Sequence, residues 1–230
     1  MYLTGAGVGN FGQAMQSLDS KRLREPLVAY LRSNRPFLGI CIGMQSLFEG
    51  SEESPEERGL GVVPGVITKF DTSLGVKVPQ IGWNGVAPVA TTPILDGISL
   101  DQKVYFVHSY CALPSDRNLD WVMATTDYGQ RYISMVQRGN IVATQFHPEK
   151  SGAVGLKIID AFLSRGGLMD TAGLLKTAVS LRDLTALPRT ELAKRVIACL
   201  DVRTNDDGDL VVTKGDQYDV REAPSDQSLK

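Results

Sequence analysis

Pro36-Phe37-Leu38-Gly39-Ile40-Cys41-Ile42-Gly43-Met44-Gln45 is the stretch whose reading decides the fold. An apolar lead-in runs into Gly-x-Cys-x-Gly, and a helix-friendly run, Met44 to Glu49, follows. That is the spacing of a nucleophile elbow, a sharp strand-to-helix turn, with Cys in place of the more familiar Ser. The flanking glycines let the chain turn and leave no side chain beside the sulfur. The turn predicts Cys41 at a helix N-terminus, where backbone N–H groups and the helix dipole favour the reactive thiolate. The competing reading is a buried strand-end cysteine packed as a small hydrophobe.

A thiol nucleophile needs a base, most often His, and the chain offers two, His108 and His147. His108 lies in an apolar β run, Val104 to Tyr110, where a satisfied core histidine is expected. His147 falls at a strand end, followed by Pro148, with Glu149 two residues on. An extended segment would project both side chains from one face. Glu149 would then hold one imidazole nitrogen while the other faces Cys41, the nucleophile–base–orienter arrangement. Otherwise His147 decorates a loop and Glu149 favours the N-terminus of the next helix.

Upstream, Gly5-Ala6-Gly7-Val8-Gly9-Asn10-Phe11-Gly12 follows a very short apolar start, Tyr2-Leu3. As a phosphate-binding fingerprint this loop is weak, because no full strand precedes it. Such a loop can instead turn backbone N–H groups towards a developing oxyanion, or be a tight turn without a ligand. Gln13 to Leu18 and Leu23 to Leu31 read as helices. Ser51 to Arg58 reads as an acidic, solvated surface loop. Leu60 to Phe70 reads as β structure interrupted by Pro64-Gly65. Trp83 reads either as core or as a partner-facing residue. Further β runs cover Trp121 to Thr126, Ile133 to Gln137 and Asn140 to Gln145, with a hairpin turn at Arg138-Gly139-Asn140. Ala153 to Leu163 is an amphipathic helix stopped by Gly166-Gly167.

The 230 residues suit one large domain, or one domain and part of another. A hydrophobic content of 43% is ample for a core, and a net charge of −2 points to neither nucleic acid nor a membrane surface. No run is long and apolar enough for a membrane span. Three cysteines without CxxC pairing, and two histidines, argue against a zinc site and for a reducing compartment. The N-terminus shows no signal or transit pattern, so a cytoplasmic location is expected, or a plastid in a plant or alga. No metal or cofactor is expected.

The elbow together with Gln145-Phe146-His147-Pro148-Glu149-Lys150-Ser151 resembles the class I (triad-type) glutamine amidotransferases. Gly7-Val8-Gly9-x-Phe11-Gly12, Lys77-Val78-Pro79-x-Ile81-Gly82-Trp83-Asn84 and Val104 to Tyr110 make it similar to the glutaminase part of the imidazole glycerol phosphate synthases. Leu192 to Arg203 resembles the opening of that family's cyclase barrel, and Val211-Val212-Thr213-Lys214-Gly215 its second strand. Read by itself, Val196 to Val202 is an apolar, parallel-type strand ending in Asp201, where barrel active-site residues sit. Glutaminase and cyclase on one chain resemble the fused eukaryotic form.

The resemblance implies an α/β fold: a flavodoxin-like amidotransferase sheet with helices on both faces, lacking its N-terminal strands, then the first strands of an incomplete (β/α)8 barrel. The expected organisation is an amidotransferase domain over 1–165, a linker over 166–190 and the truncated barrel over 191–230. It further implies that Cys41 attacks the glutamine side-chain amide, that His147 moves protons and that Glu149 orients His147. Backbone amides near Val8 and Ile42 would form the oxyanion hole. Gly7, Gly43, Gln45, Tyr128 and Gly129 would hold glutamine. Ammonia would pass to a cyclase barrel and its ribonucleotide substrate, giving imidazole glycerol phosphate and an aminoimidazole carboxamide ribotide. Asp201 would be one cyclase carboxylate and Lys214 a substrate-pocket residue. Members hydrolyse glutamine poorly until the cyclase site is occupied.

The chain departs from the family at Ala6, where Pro is usual, and at Gln80, where His is frequent. About two barrel strands cannot close a barrel, so cyclisation by this chain alone is not expected. Two other readings stay open: an inactive fragment or glutamine-binding docking module, and an amidotransferase of another pathway, such as anthranilate or guanylate synthesis.

Overall fold

The computed structural model describes residues 10–90, 92–96, 102–164 and 181 with their side chains, and 2–4, 201–204 and 210–213 by backbone. The chain divides into two compact units, Met1–Thr190 and Glu191–Lys230.

In the first unit the strands are β1 (Tyr2–Thr4), β2 (Phe37–Ile40), β3 (Gly50–Ser51), β4 (Val66–Lys69), β5 (Gln80–Gly85), β6 (Ala87–Pro88), β7 (Lys103–His108), β8 (Tyr110–Ala112), β9 (Val122–Tyr128), β10 (Gln130–Arg138) and β11 (Ile141–Thr144). The helices are α1 (Phe11–Ser20), α2 (Arg24–Arg32), α3 (Ile42–Gln45) and α4 (Gly152–Ser164). The main sheet runs β1-β2-β11-β10-β8-β4-β3, with β9 on β10 and β6 on β9. β5 and β7 form a separate antiparallel pair.

All four residues of β2 are buried, as expected of a parallel strand covered on both faces. Its side chains alternate between two cores. Phe37 joins Ile141 and Ala143 under α1 and α2, through Phe11, Met15, Leu27 and Leu31. Leu38 and Ile40 join Val142 under α4, through Ile158 and Phe162. Helices therefore cover both faces, and each fully buried Leu or Phe contributes about 2 kcal/mol of apolar burial. β2 pairs in parallel with both β1 and β11, with Ile40 opposite Thr144. The carboxyl ends of β2 and β11 consequently leave the sheet at one edge, where open α/β sheets place their ligands.

The sheet is more antiparallel than a flavodoxin-like reading implies. β4–β8, β8–β10, β9–β10 and β10–β11 all pair antiparallel. The β10–β11 hairpin turns at Gly139, with φ +59°, as the sequence indicates.

Three local readings need correction. The helix after Cys41 is four residues long and does not run to Glu49. Ser46 Oγ donates to the Ile42 carbonyl at 2.7 Å, and the Leu47 and Phe48 amides take the shorter reach to Met44 and Gln45, tightening the chain into turns. Over Leu60 to Phe70 only β4 is a strand. The amides of Leu60, Val62 and Val63 bond to Ser46 and Leu47 carbonyls instead of a ladder. The acidic loop is more than a solvated face. Glu53 Oε2 accepts from the Phe11 amide at 2.7 Å and Ser54 Oγ from the Gly12 amide at 3.1 Å, so it caps the start of α1.

In the second unit β12 (Asp201–Thr204) and β13 (Leu210–Thr213) pair antiparallel, with Asp201 opposite Thr213. The sequence suggested a parallel-type strand ending in Asp201; instead β12 begins there. A parallel partner needs a crossover of about a dozen residues or more, and the chain from Thr204 to Leu210 is too short for one. Val196 to Leu200 lie outside the described residues.

Candidate active site

The elbow forms where the sequence places it. Cys41 has φ 53° and ψ −105°, a conformation that costs a non-glycine residue on the order of 1–3 kcal/mol. Neighbouring contacts hold it there. The Cys41 amide donates to the Thr144 carbonyl at 2.7 Å, and the Met44 and Gln45 amides bond to the Cys41 carbonyl at 2.9 and 3.1 Å. Gly39 makes the close approach possible, since a Cβ there would lie 2.9 Å from the Gly43 backbone.

The expected thiolate is not what this setting gives. Burial pushes the Cys41 thiol up to about 11, and Glu149 adds to it; the Ile42 amide, Lys150 and Gln145 work the other way. A four-residue helix supplies too little dipole to offset desolvation. Held so, Cys41 keeps its proton at neutral pH, and the nucleophile role expected of it would require a base.

His147, the expected base, is positioned by backbone and side chain together. The His147 amide donates to the Tyr105 carbonyl at 2.8 Å, tying the end of β11 to β7. Ser151 Oγ donates to the His147 carbonyl at 2.6 Å and accepts from the Tyr105 amide at 3.0 Å. His147 Nδ1 meets Glu149 Oε1 at 2.6 Å. With Nδ1–H donated to the carboxylate, Nε2 keeps the lone pair a base requires. The route differs from the extended segment expected. Pro148–Lys150 is a 3-10 turn, and it is this turn that folds Glu149 back onto the ring. α4 packs so closely on the turn that a Cβ at Gly155 would sit 1.8 Å from the Pro148 carbonyl oxygen.

Glu149 and Lys150 both act electrostatically on the Cys41 thiol. The His147–Glu149 pair thus lies at the edge where β2 and β11 end, with Glu149 close enough to act on the Cys41 sulfur. His108 is the core histidine expected. Burial lowers it to about 4, its Nδ1 donates to the Tyr110 carbonyl at 2.8 Å, and Phe70, Phe106 and Tyr132 surround its ring.

Of the residues expected to hold glutamine, Gly43 lies in α3 beside the elbow. Gln45 is 5% exposed and turns its amide nitrogen inward, to the Tyr110 carbonyl and Gln145 Oε1, both at 3.0 Å. Tyr128 packs on the same apolar cluster as Cys41 and donates its hydroxyl to the Lys77 carbonyl at 2.8 Å; Gly129 follows with φ +71°. Gly7, Val8 and Lys214 lie outside the described residues, and Asp201 belongs to the second unit. Trp83 is exposed at 39% and Ile81 at 52%, so neither is core. Among the described residues no group of His, Cys, Asp and Glu could hold a metal ion, and no helix is long and apolar enough to cross a membrane. The side chain that sequence reasoning left without a role is Gln145, whose place in the strand motif signals an inward-facing amide.

Residues 6–164 match the family "Glutamine amidotransferase class-I". The chain belongs to this family. Among curated relatives of this class I amidotransferase is "Imidazole glycerol phosphate synthase hisHF, chloroplastic" of Arabidopsis thaliana, 49% identical over 224 residues, 97% of this chain but 36% of the relative. The chain therefore spans little more than a third of that relative's length. "Imidazole glycerol phosphate synthase subunit HisH" of Methanocaldococcus jannaschii is 45% identical over 157 residues, 68% of this chain and 76% of the relative. A solved glutamine amidotransferase superposes with a TM-score of 0.50 over 72% of this chain and 78% of its own, at 16% identity, a likeness of fold alone.

Proposed function

We propose that the chain hydrolyses the side-chain amide of glutamine to glutamate and ammonia, as the glutaminase part of an imidazole glycerol phosphate synthase. The observation that carries this is the His147–Glu149 pair, whose carboxylate acts on the Cys41 sulfur. The pair lies just beyond β11, whose last residue stands in parallel register with Ile40, next to Cys41. His147 Nε2 removes the Cys41 proton as the sulfur adds to the amide carbon. The oxyanion is met by the Ile42 amide, which already faces the sulfur, and by amides near Gly7 and Val8. The same proton passes to the leaving nitrogen, ammonia departs, and a thioester remains. His147 then deprotonates water, which attacks the thioester; the proton returns to the sulfur and glutamate is released. Glu149 holds the ring's tautomer and offsets the imidazolium charge.

Gly43, Gln45, Tyr128 and Gly129 line the glutamine side of this site in our reading. With the Gln45 amide hydrogens committed inward, its Oε1 is the atom left to face substrate. The ammonia acceptor is the ribonucleotide substrate of a cyclase barrel. In our reading residues 191–230 begin such a barrel with β12, and β13 folds back on it as a hairpin and not as the next barrel strand. A linker over 166–190 precedes them; Asp201 is one cyclase carboxylate and Lys214 a pocket residue. Identity with the fused relatives over nearly the whole chain supports this assignment.

The test is glutamate release from glutamine by the purified chain, with and without a separately supplied cyclase barrel and its substrate. Release should rise with the barrel and be abolished by Cys41→Ser, which should leave the fold unchanged. Release that survives Cys41→Ser, or no release from folded protein in either condition, would overturn the reading.

A further inference from the structure

Behind the elbow lies a run of buried polar side chains of which, besides the Gln45 oxygen, the hydrolysis uses none. Gln145 is fully buried and reaches Cys41 Sγ with Nε2 at 3.6 Å. Its Oε1 accepts from Gln45 Nε2 at 3.0 Å, and Gln45 Nε2 also donates to the Tyr110 carbonyl at 3.0 Å. That carbonyl takes a second bond, from His108 Nδ1 at 2.8 Å, which fills both its lone pairs. His108 Nε2 lies 3.3 Å from the Tyr132 hydroxyl, which also bonds to Gln80 Oε1 at 2.9 Å; Gln80 Nε2 donates to Asn84 at 3.0 Å.

The chain of bonds fixes which way Gln145 points. A carbonyl can only accept, so Tyr110 draws the Gln45 nitrogen towards itself. That nitrogen's other hydrogen then requires an oxygen from Gln145. The Gln145 nitrogen is left facing the sulfur. Flipping either amide would set two nitrogens or two oxygens against each other. A buried amide so over-determined is expensive to rotate, because any break strands a donor or acceptor away from water.

We propose that Gln145 is a positioning residue for the nucleophile: its amide holds the Cys41 sulfur at the mouth of the elbow and stabilises the thiolate as it forms, with Gln45 and the Tyr110 carbonyl fixing its orientation. The bond strengthens as the sulfur gains charge, since hydrogen bonds to ionised acceptors are about twice as strong as neutral ones. It therefore acts more on the reaction than on the resting thiol. The Ile42 amide works in the same direction from α3, as does Lys150 from the turn after β11, while Glu149 opposes them. This rests on the glutaminase reading for its consequence in turnover, but not for its geometry.

The experiment compares the full chain with Gln145→Met, which keeps length and bulk without the donor, and Gln145→Glu, which keeps the acceptor for Gln45 but turns an oxygen to the sulfur. Alkylation by iodoacetamide is followed across pH by peptide-resolved mass spectrometry, with buried Cys111 as internal reference. Near-UV circular dichroism identifies the folded variants. Cys41 labelling at pH 8 should fall about threefold to tenfold in Gln145→Met and further in Gln145→Glu, with the pH midpoint moving upward. With a cyclase barrel and its substrate supplied, kcat for glutamine should fall while KM stays within about twofold. Folded Gln145→Met or Gln145→Glu with an unchanged Cys41 midpoint would overturn the proposal. Absence of glutamate from the unmodified chain would instead count against the glutaminase reading, and the labelling profiles would still decide the role of Gln145.

Discussion

His108 and His147 are almost equally buried, at 6% and 5% exposure, yet their surroundings differ. His108 sits inside β7 with Phe70, Phe106 and Tyr132 around its ring, donates Nδ1–H to a backbone carbonyl, and is held neutral to about pH 4. His147 sits just beyond the end of β11 and donates to a carboxylate that is 35% exposed and acts on the Cys41 thiol. Both rings have Nδ1 held as the donor, one by a backbone carbonyl inside an aromatic core, where burial outweighs what that bond does for the charged form, and the other by a carboxylate at a strand end. Burial alone does not separate a structural imidazole from a reactive one. The partner of Nδ1, and what lies beyond Nε2, does.

The largest effect expected from breaking this contrast is at His147. His147→Asn should lower glutamate formation about 10²–10⁴-fold with little change in thermal stability, measured as initial rates alongside a melting curve. His108→Gln should do the reverse, costing stability while sparing most of the chemistry.

His108 also sharpens the comparison through pH. Its folded value is about 4 against an ordinary 6.5. Between those values the unfolded chain binds a proton that the folded chain refuses, so stability falls as pH drops from about 6.5 towards 4. The full shift corresponds to at most about 3 kcal/mol. Denaturant titrations of His108→Gln at pH 7 and pH 4.5 should show a shallower acid loss than the unmodified chain. An equal loss would mean that other groups dominate.

The smallest expected effect is at Ser134, whose carbonyl accepts from the Gln145 amide at 2.9 Å. Its hydroxyl is buried and without a hydrogen-bond partner. Removing an unsatisfied buried group is neutral or slightly stabilising. Ser134→Ala should therefore keep activity and raise Tm by about a degree or not at all, in contrast to Gln145 beside it.

The contrast also shows what the sequence could reveal. The strand-to-helix turn at Cys41 and the pairing of His147 with Glu149 were legible because each lies in a short, stereotyped local pattern, and Cys and His are rare in this chain. The core role of His108 was legible from its apolar strand. The bond from Gln145 to Cys41 was not, because it depends on the parallel register of β2 with β11, which brings together residues 104 positions apart. Nor was the state of the thiol. The motif suggests a helix dipole, but the magnitude of burial decides, and α3 is too short to compete. The capping of α1 by Glu53 and Ser54 is a long-range contact between two segments that each read locally as loop. In the second unit, apolar strand composition suited a parallel partner, and the short chain between Thr204 and Leu210 excluded it.

The measurement that bears most directly on the account is covalent labelling of the chain by a glutamine-shaped electrophile, a chloroketone analogue, located by peptide mass spectrometry with and without excess glutamine. The account predicts one modified residue, Cys41, protected by glutamine and lost when His147 is replaced by Asn, with Cys111 untouched. Labelling that falls equally on Cys111, or that glutamine does not slow, would contradict it.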